Sequence, residues 1–214
     1  MSLKNNDQIL KTMTINNTHT KVNNNVNHNH RRWAFLQEFL KHPLQIGSII
    51  PSSRFLERAI IESAGLESAN TIVELGCGTC GTTRAILRHL APDAKLLSIE
   101  VNPRFYAILT EIDDSRLIPH LGSAEQLREI LDMHGLGDPD VVISGIPFST
   151  MKDGVGSQII RDIDRLLPPK SRFVAYQFSG RVAQLCRPYL GNAKSVLEIR
   201  NIPPMRVYQW EKRV

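Results

Sequence analysis

From Thr71 onward, short runs of Ile, Val, Leu and Phe alternate with stretches of helical periodicity, and this alternation limits the possible fold more than any other feature. The runs "TIVEL", "AKLLSIE", "RLIPHL", "DVVISG" and "RFVAYQF" have the length and branching of buried strands. Helical stretches fall near 81–90, 103–111, 123–134 and 153–167. Strands and helices in strict alternation predict an α/β doubly wound, mostly parallel sheet. After a further helix near 180–190, "KSVLEIR" and "MRVYQW" flank Asn201, Ile202, Pro203 and Pro204. They predict a closing antiparallel hairpin, which makes seven strands in all.

The chain has 214 residues, enough for one sizeable core. Residues 1–30, as in "NNTHTKVNNNVNHNH", are rich in Asn, Thr and His and too poor in large apolar groups to offset ordering entropy, so a disordered tail is expected. His19, His28 and His30 lie in that tail without a fixed geometry, so no metal site is expected. Residues 31–65 form a second region, and 66–214 the main domain. In "RRWAFLQEFLKHP", Trp33, Leu36, Phe39 and Leu40 recur at helical spacing, Phe35 widens the apolar face, and Arg31, Arg32 and Lys41 flank it. Such a stripe suits packing on the domain's own core or insertion into a membrane interface.

The net charge is +5, yet residues 59–214 carry 18 basic and 18 acidic side chains. All the excess lies in the first 58 residues, where it suits an anionic membrane surface better than a nucleic acid. No apolar run is long enough to span a bilayer, and the start lacks the sections of a signal peptide. A cytoplasmic protein attached peripherally to the inner face of the cell membrane is therefore expected, as a monomer with no nucleic-acid partner. Cys77, Cys80 and Cys186 are too few for a disulfide scaffold.

The first strand runs into "VELGCGTCGTT", with glycines at 76, 78 and 81 between strand and helix, the arrangement that lets backbone approach a nucleotide-like ligand closely. The next strand ends in Glu100, where a carboxylate can take both ribose hydroxyls. Cys77 and Cys80 form a C-x-x-C pair, but no second pair completes a zinc site, so they read as small side chains beside a ligand.

Glu74, Gly76, Gly78, Glu100 and the terminal hairpin resemble the class I S-adenosylmethionine-dependent methyltransferases. In that family three glycines alternate; here the third place holds Cys80, with Gly81 just after. The segment "FLQEFLKHPLQIGSIIPSSRFLERAI" is similar to the opening of the bacterial phospholipid N-methyltransferases, and the similarity continues through "VELG", "IEVNP", "SGIPF", "YQF" and "IPPMRVY". It spans residues 33–210. The resemblance implies S-adenosylmethionine as cofactor, held by Ser53, Glu74, Gly76, Gly78, Glu100, Val101, Ser123, Ala124 and Ser144. Ser52 or Ser53 is also a natural N-cap, and the resemblance implies that their turn closes over the cofactor.

Methyltransferases acting on exocyclic adenine nitrogens have a loop resembling N-x-P-Y, in which the Asn holds the amino group. Here those places hold Gly145, Ile146, Pro147 and Phe148, so the hydrogen bonds that would specify a flipped base are missing, although Phe148 could stack. A small aliphatic amine is the expected acceptor, and the resemblance implies that of a membrane lipid, phosphatidylethanolamine or an ornithine-containing aminolipid, methylated one to three times. The lesser reading of "SGIPF" is a plain strand end with a Pro turn. Ile46, Gly145, Pro147 and Phe148 are the expected substrate contacts, with Tyr176 a candidate to orient the nitrogen or simply a sheet-edge tyrosine. Arg181 and Arg206 read as head-group anchors or as solvated surface arginines. An RNA adenine dimethyltransferase and a non-catalytic cofactor-binding membrane module are the competing readings.

Overall fold

The computed structural model describes residues 52–152 and 154–213; the tail, the stripe at 31–42 and Ile46 lie outside the described residues. The described chain opens with helix α1 (Arg54–Ala64), which Ser53 caps by accepting the Leu56 amide at 3.2 Å and Gly65 ends in the left-handed region. Alternating units follow: β1 (Thr71–Leu75), α2 (Gly81–His89), β2 (Lys95–Glu100), α3 (Pro103–Thr110) and β3 (Leu117–Leu121). Then come α4 (Leu127–Met133), β4 (Val141–Ser144), α5 (Val155–Leu166), β5 (Arg172–Gln177) and α6 (Arg181–Leu190), and the chain closes with β6 (Lys194–Glu198) and β7 (Met205–Glu211).

All seven strands form one sheet in the order β3-β2-β1-β4-β5-β7-β6. Strands β1 to β5 are parallel, and β7 runs antiparallel to both β5 and β6. This is the expected doubly wound sheet with its closing hairpin. One difference lies at 123–134, where a 3₁₀ turn (Ala124–Gln126) precedes α4, because the Ser123 hydroxyl accepts the Glu125 amide and tightens the entry. A second is that β6 stops at Glu198, whose carboxylate folds back to take the Arg200 amide and guanidinium at 2.7–2.8 Å.

Each face of the sheet has its own core. On one, Phe173, Trp210, Ile160 and Ile163 pack under α5 and α6; on the other, Ile72, Leu96, Val174 and Val207 pack under α1 and α2. Leu56, Ile60 and Ala64 of α1 are buried in that second core, so α1 packs as part of the domain that begins, in sequence, after it. Trp210 is 2% exposed, stacks on Phe173 with ring centroids 5.2 Å apart, and donates its indole N–H to Gly191. It anchors the antiparallel hairpin to the parallel sheet. Replacing it with Ala should lower the free energy of unfolding by about 3–5 kcal/mol, read as a drop in urea midpoint at unchanged slope.

Candidate active site

The strand order reverses between β1 and β4, and ligands of open α/β sheets bind at the carboxyl edge of such a switch point. A cleft of about 810 Å³, its mouth included, opens there. Its floor is the loop after β1. Gly76 has φ +79°, and a Cβ there would stand 2.9 Å from the Ile146 side chain, so only glycine fits. Gly78 has φ +51° and gives its amide to Glu100 Oε2 at 3.2 Å. Cys80 itself adopts the left-handed conformation, φ +62°, and leads directly into α2. The third-glycine place is therefore a turn residue bearing a fully buried thiol, and Gly81 lies against Ser52 on the cleft wall.

Glu100 joins this loop to the next. Its Oε2 takes Gly78 N–H, with the Cys77 thiol 3.6 Å away, while its Oε1 takes the Asn102 amide at 2.8 Å. Glu74 lies beneath, fully buried, with Oε2 accepting from Thr83 at 2.7 Å and Ser98 at 2.6 Å and Oε1 without a partner. Burial pushes its carboxyl up to about 7, against the lowering pull of those two hydroxyls. The thiol of Cys77 is pushed up as well, first by its hydrogen bond with Cys80 and then by burial, so it stays protonated. Among the described residues no cluster of His, Cys, Asp and Glu is fit to hold a metal ion.

The opposite wall is the loop after β4. Gly145, Ile146 and Pro147 line the cleft, and Gln177 fastens them by donating to the Ile146 carbonyl at 2.6 Å. Tyr176 reaches the same wall. Its hydroxyl accepts from Thr82 at 3.4 Å and lies where any side chain at position 145 would collide with it. Burial, and next the charge of Glu74, hold the phenol well above its ordinary range, so it stays protonated.

Of the expected cofactor residues, Gly76, Gly78, Glu100 and Val101 line the cleft. Glu74 and Ser144 sit below it in the sheet, fully buried, each with an oxygen lacking a partner. Ser53 caps α1 and gives its amide to Asn201, and its neighbour Ser52 forms the wall. Ser123 and Ala124 stand at the end of β3, outside the lining. Phe148 does not face the cleft. It is 2% exposed in the core under α5, against Gly156, because the Pro147 turn carries it beneath the loop, so it offers no stacking surface. Arg181 likewise lies apart, lining a separate depression with Lys152 and Ser179. Arg206 is on β7 with its guanidinium toward Ser195 at 3.4 Å. Neither arginine touches the cleft lining.

Sequence reasoning missed Asn201, Thr82, Gln177 and Met205. Asn201 is 2% exposed; its Oδ1 takes the Ser53 amide at 3.0 Å and its Nδ2 donates to the Pro203 carbonyl at 2.8 Å. It ties the turn before α1 to the hairpin 148 residues later. The only signal for it was an amide residue beside two prolines, which reads as an ordinary turn.

No family model matches the chain. It is 30% identical over 179 residues to the ornithine lipid N-methyltransferase of Singulisphaera acidiphila, an alignment covering 82% of this chain and 93% of that protein. The chain belongs to the family of that enzyme. Its fold matches N-methyltransferase NodS from Bradyrhizobium japonicum WM9 in complex with S-adenosyl-L-homocysteine, at TM-score 0.60, 12% identity and coverage of 85% of this chain and 97% of NodS. It also matches the O-methyltransferase TomG from Streptomyces achromogenes in complex with S-adenosylmethionine, at TM-score 0.60, 17% identity and coverage of 86% and 89%. The protein is a class I S-adenosylmethionine-dependent methyltransferase. The methyltransferase cleft fits that cofactor: Gly76 and Gly78 line it with bare backbone at positive φ, and Glu100 presents a nearly buried carboxylate at the end of β2.

Two outcomes follow for this methyltransferase. Glu100→Ala leaves the Gly78 and Asn102 amides without their acceptor, and affinity for S-adenosylhomocysteine, measured calorimetrically, should fall at least roughly tenfold. Glu74 binds its proton more tightly folded than unfolded. Its contribution to stability is therefore full below the unfolded value of about 4.3 and is lost as pH rises through about 7. The melting temperature of the wild type should fall more steeply from about pH 4.5 to about pH 7 than that of Glu74→Gln; equal slopes would mean that the carboxyl is ionised throughout.

Proposed function

We propose that the protein methylates the primary amine of a membrane aminolipid, with an ornithine-containing lipid as the leading acceptor and phosphatidylethanolamine as its competitor, adding one to three methyls. The observation that carries this reading is the acceptor wall. Gly145, Ile146 and Pro147 offer no amide or carboxylate side chain, and Phe148 is turned into the core, so nothing there would grip a planar base. A relative named for ornithine lipid N-methylation supports the same direction.

When bound, S-adenosylmethionine supplies the activated methyl. The chain supplies position and a dry site. Holding an amine in line can contribute roughly 7–11 kcal/mol, so no strong base is required. The bare backbone at Gly145 lets the Tyr176 hydroxyl reach the cleft wall, where, protonated, it can orient the nitrogen and cannot serve as its base. An apolar wall of Ile146, Pro147 and Leu56 disfavours the ammonium form and so releases its proton. Attachment of a monomer to the cytoplasmic face of the membrane completes the reading.

Radiolabelled S-adenosylmethionine, purified protein and vesicles carrying ornithine lipid or phosphatidylethanolamine test it, with total RNA as a parallel acceptor. Label in the ornithine lipid is expected, and Tyr176→Phe should lower kcat with little change in cofactor affinity. Label in RNA alone would overturn the reading.

A further inference from the structure

Large apolar side chains that stand exposed are gathered at one end of the described domain. There are eight, and only Met133 lies at the amino edge of the sheet, where α4 turns back toward β4. Val101 and Leu121 end or follow β2 and β3 at the carboxyl edge, and Phe178, 44% exposed, follows β5. The other four lie on the hairpin, Val196 at 54% and Leu197 at 50% on opposite faces of the edge strand β6, and Ile199 at 68% and Ile202 at 53% in the connection that follows it. Register places them. Gln177 pairs with Arg206 and Glu198 with Met205, so the connection 199–204 lies at the carboxyl edge beside the cleft, whose lining includes Phe178, Asn201 and Met205.

The charge around these side chains is mainly positive. Lys194, Arg200 and Arg206 flank them, and the hairpin's acid there, Glu198, is 4% exposed and taken up by Arg200. Phe55 at the start of α1 lies between two guanidinium groups, Arg200 at 4.2 Å and Arg54 at 4.8 Å. Bare aliphatic side chains ringed by cations are matched by a surface with an apolar interior and anionic head groups. A water-soluble acceptor would give an enzyme no reason to expose these side chains, which in a soluble domain are an aggregation hazard.

We propose that the β6–β7 hairpin rests on an anionic bilayer and sets the mouth of the cleft at the level of the lipid head groups. The inference rests on the aminolipid reading for the direction in which substrate arrives. The amine then enters the cleft while its acyl chains stay in the membrane, and the hairpin that Asn201 ties to Ser53 becomes both cleft rim and membrane contact.

The three cysteines are buried, so Ile199→Cys can be labelled selectively with an environment-sensitive dye in the full chain. The probe is a phosphatidylcholine vesicle with about a third phosphatidylglycerol and no aminolipid. Adding vesicles should shift the dye's emission to shorter wavelength and expose it to bilayer-embedded quenchers, while a dye at Met133→Cys remains in water. Leu197→Ser with Ile199→Ser should weaken vesicle partition roughly tenfold at unchanged melting temperature and S-adenosylhomocysteine affinity. A dye at position 199 that stays in water while the protein sediments with vesicles overturns the proposal. So does an emission shift that grows with protein concentration alone, which would assign this surface to a second copy of the chain. Because the vesicles hold no acceptor, failure of the aminolipid reading shows separately, as bound protein that labels no lipid.

Discussion

One carboxylate holds the cleft together. Glu100 stands at the end of β2 and takes the Gly78 amide from the loop after β1 and the Asn102 amide from the loop after β2, which locks those two turns to each other. A buried carboxylate is costly unless its oxygens are bonded, and backbone N–H groups meet that cost without side-chain entropy. Their positions in turn depend on Gly76 and Gly78 at positive φ and on Cys80 in the same region. The alignment of these groups is set by the parallel pairing of β1 with β2, which places Glu74 against Ser98 and Leu75 against Ile99.

Around that constraint the domain divides its labour by sheet edge. Both faces are closed by packing, with Trp210, Phe173 and the buried side of α1 as the large contributors. The carboxyl edge is left irregular and carries the glycine loop, the Gly145–Pro147 wall, Tyr176 and the exposed hairpin end. Among the described residues no helix is long and apolar enough to cross a membrane. The hairpin and the reacting wall lie on one edge because β7 inserts antiparallel beside β5, bringing the 199–204 connection back to where the parallel strands end.

The elements were legible because their signals are local. "TIVEL" is β1 residue for residue, since its Ile, Val and Leu are buried in a central parallel strand where continuous apolar runs are required. Glycine spacing and the position of Glu100 marked the cofactor loop for the same reason: close backbone approach needs particular residue types at particular steps. Where signals were ambiguous, the structure chose. "SGIPF" pointed to Phe148 as a wall of the acceptor site, yet the turn at Pro147 sends the ring inward, and a motif of five letters does not specify that turn's direction. Arg181 and Arg206 were candidates by charge and by their places after "YQF" and beside the hairpin, and neither says which way a guanidinium will face.

By itself, the sequence determined the alternating architecture and, through its resemblance to a known family, the cofactor class, since each depends on a local pattern of residue types. Only the tertiary structure decided that Asn201 would meet Ser53 across 148 residues, that Gln177 would fasten Ile146, and that Val196, Leu197, Ile199 and Ile202 would stand exposed on the hairpin. Those are contacts between segments distant in the chain, fixed by strand order and register, and a linear pattern carries no record of which distant segment will become its neighbour.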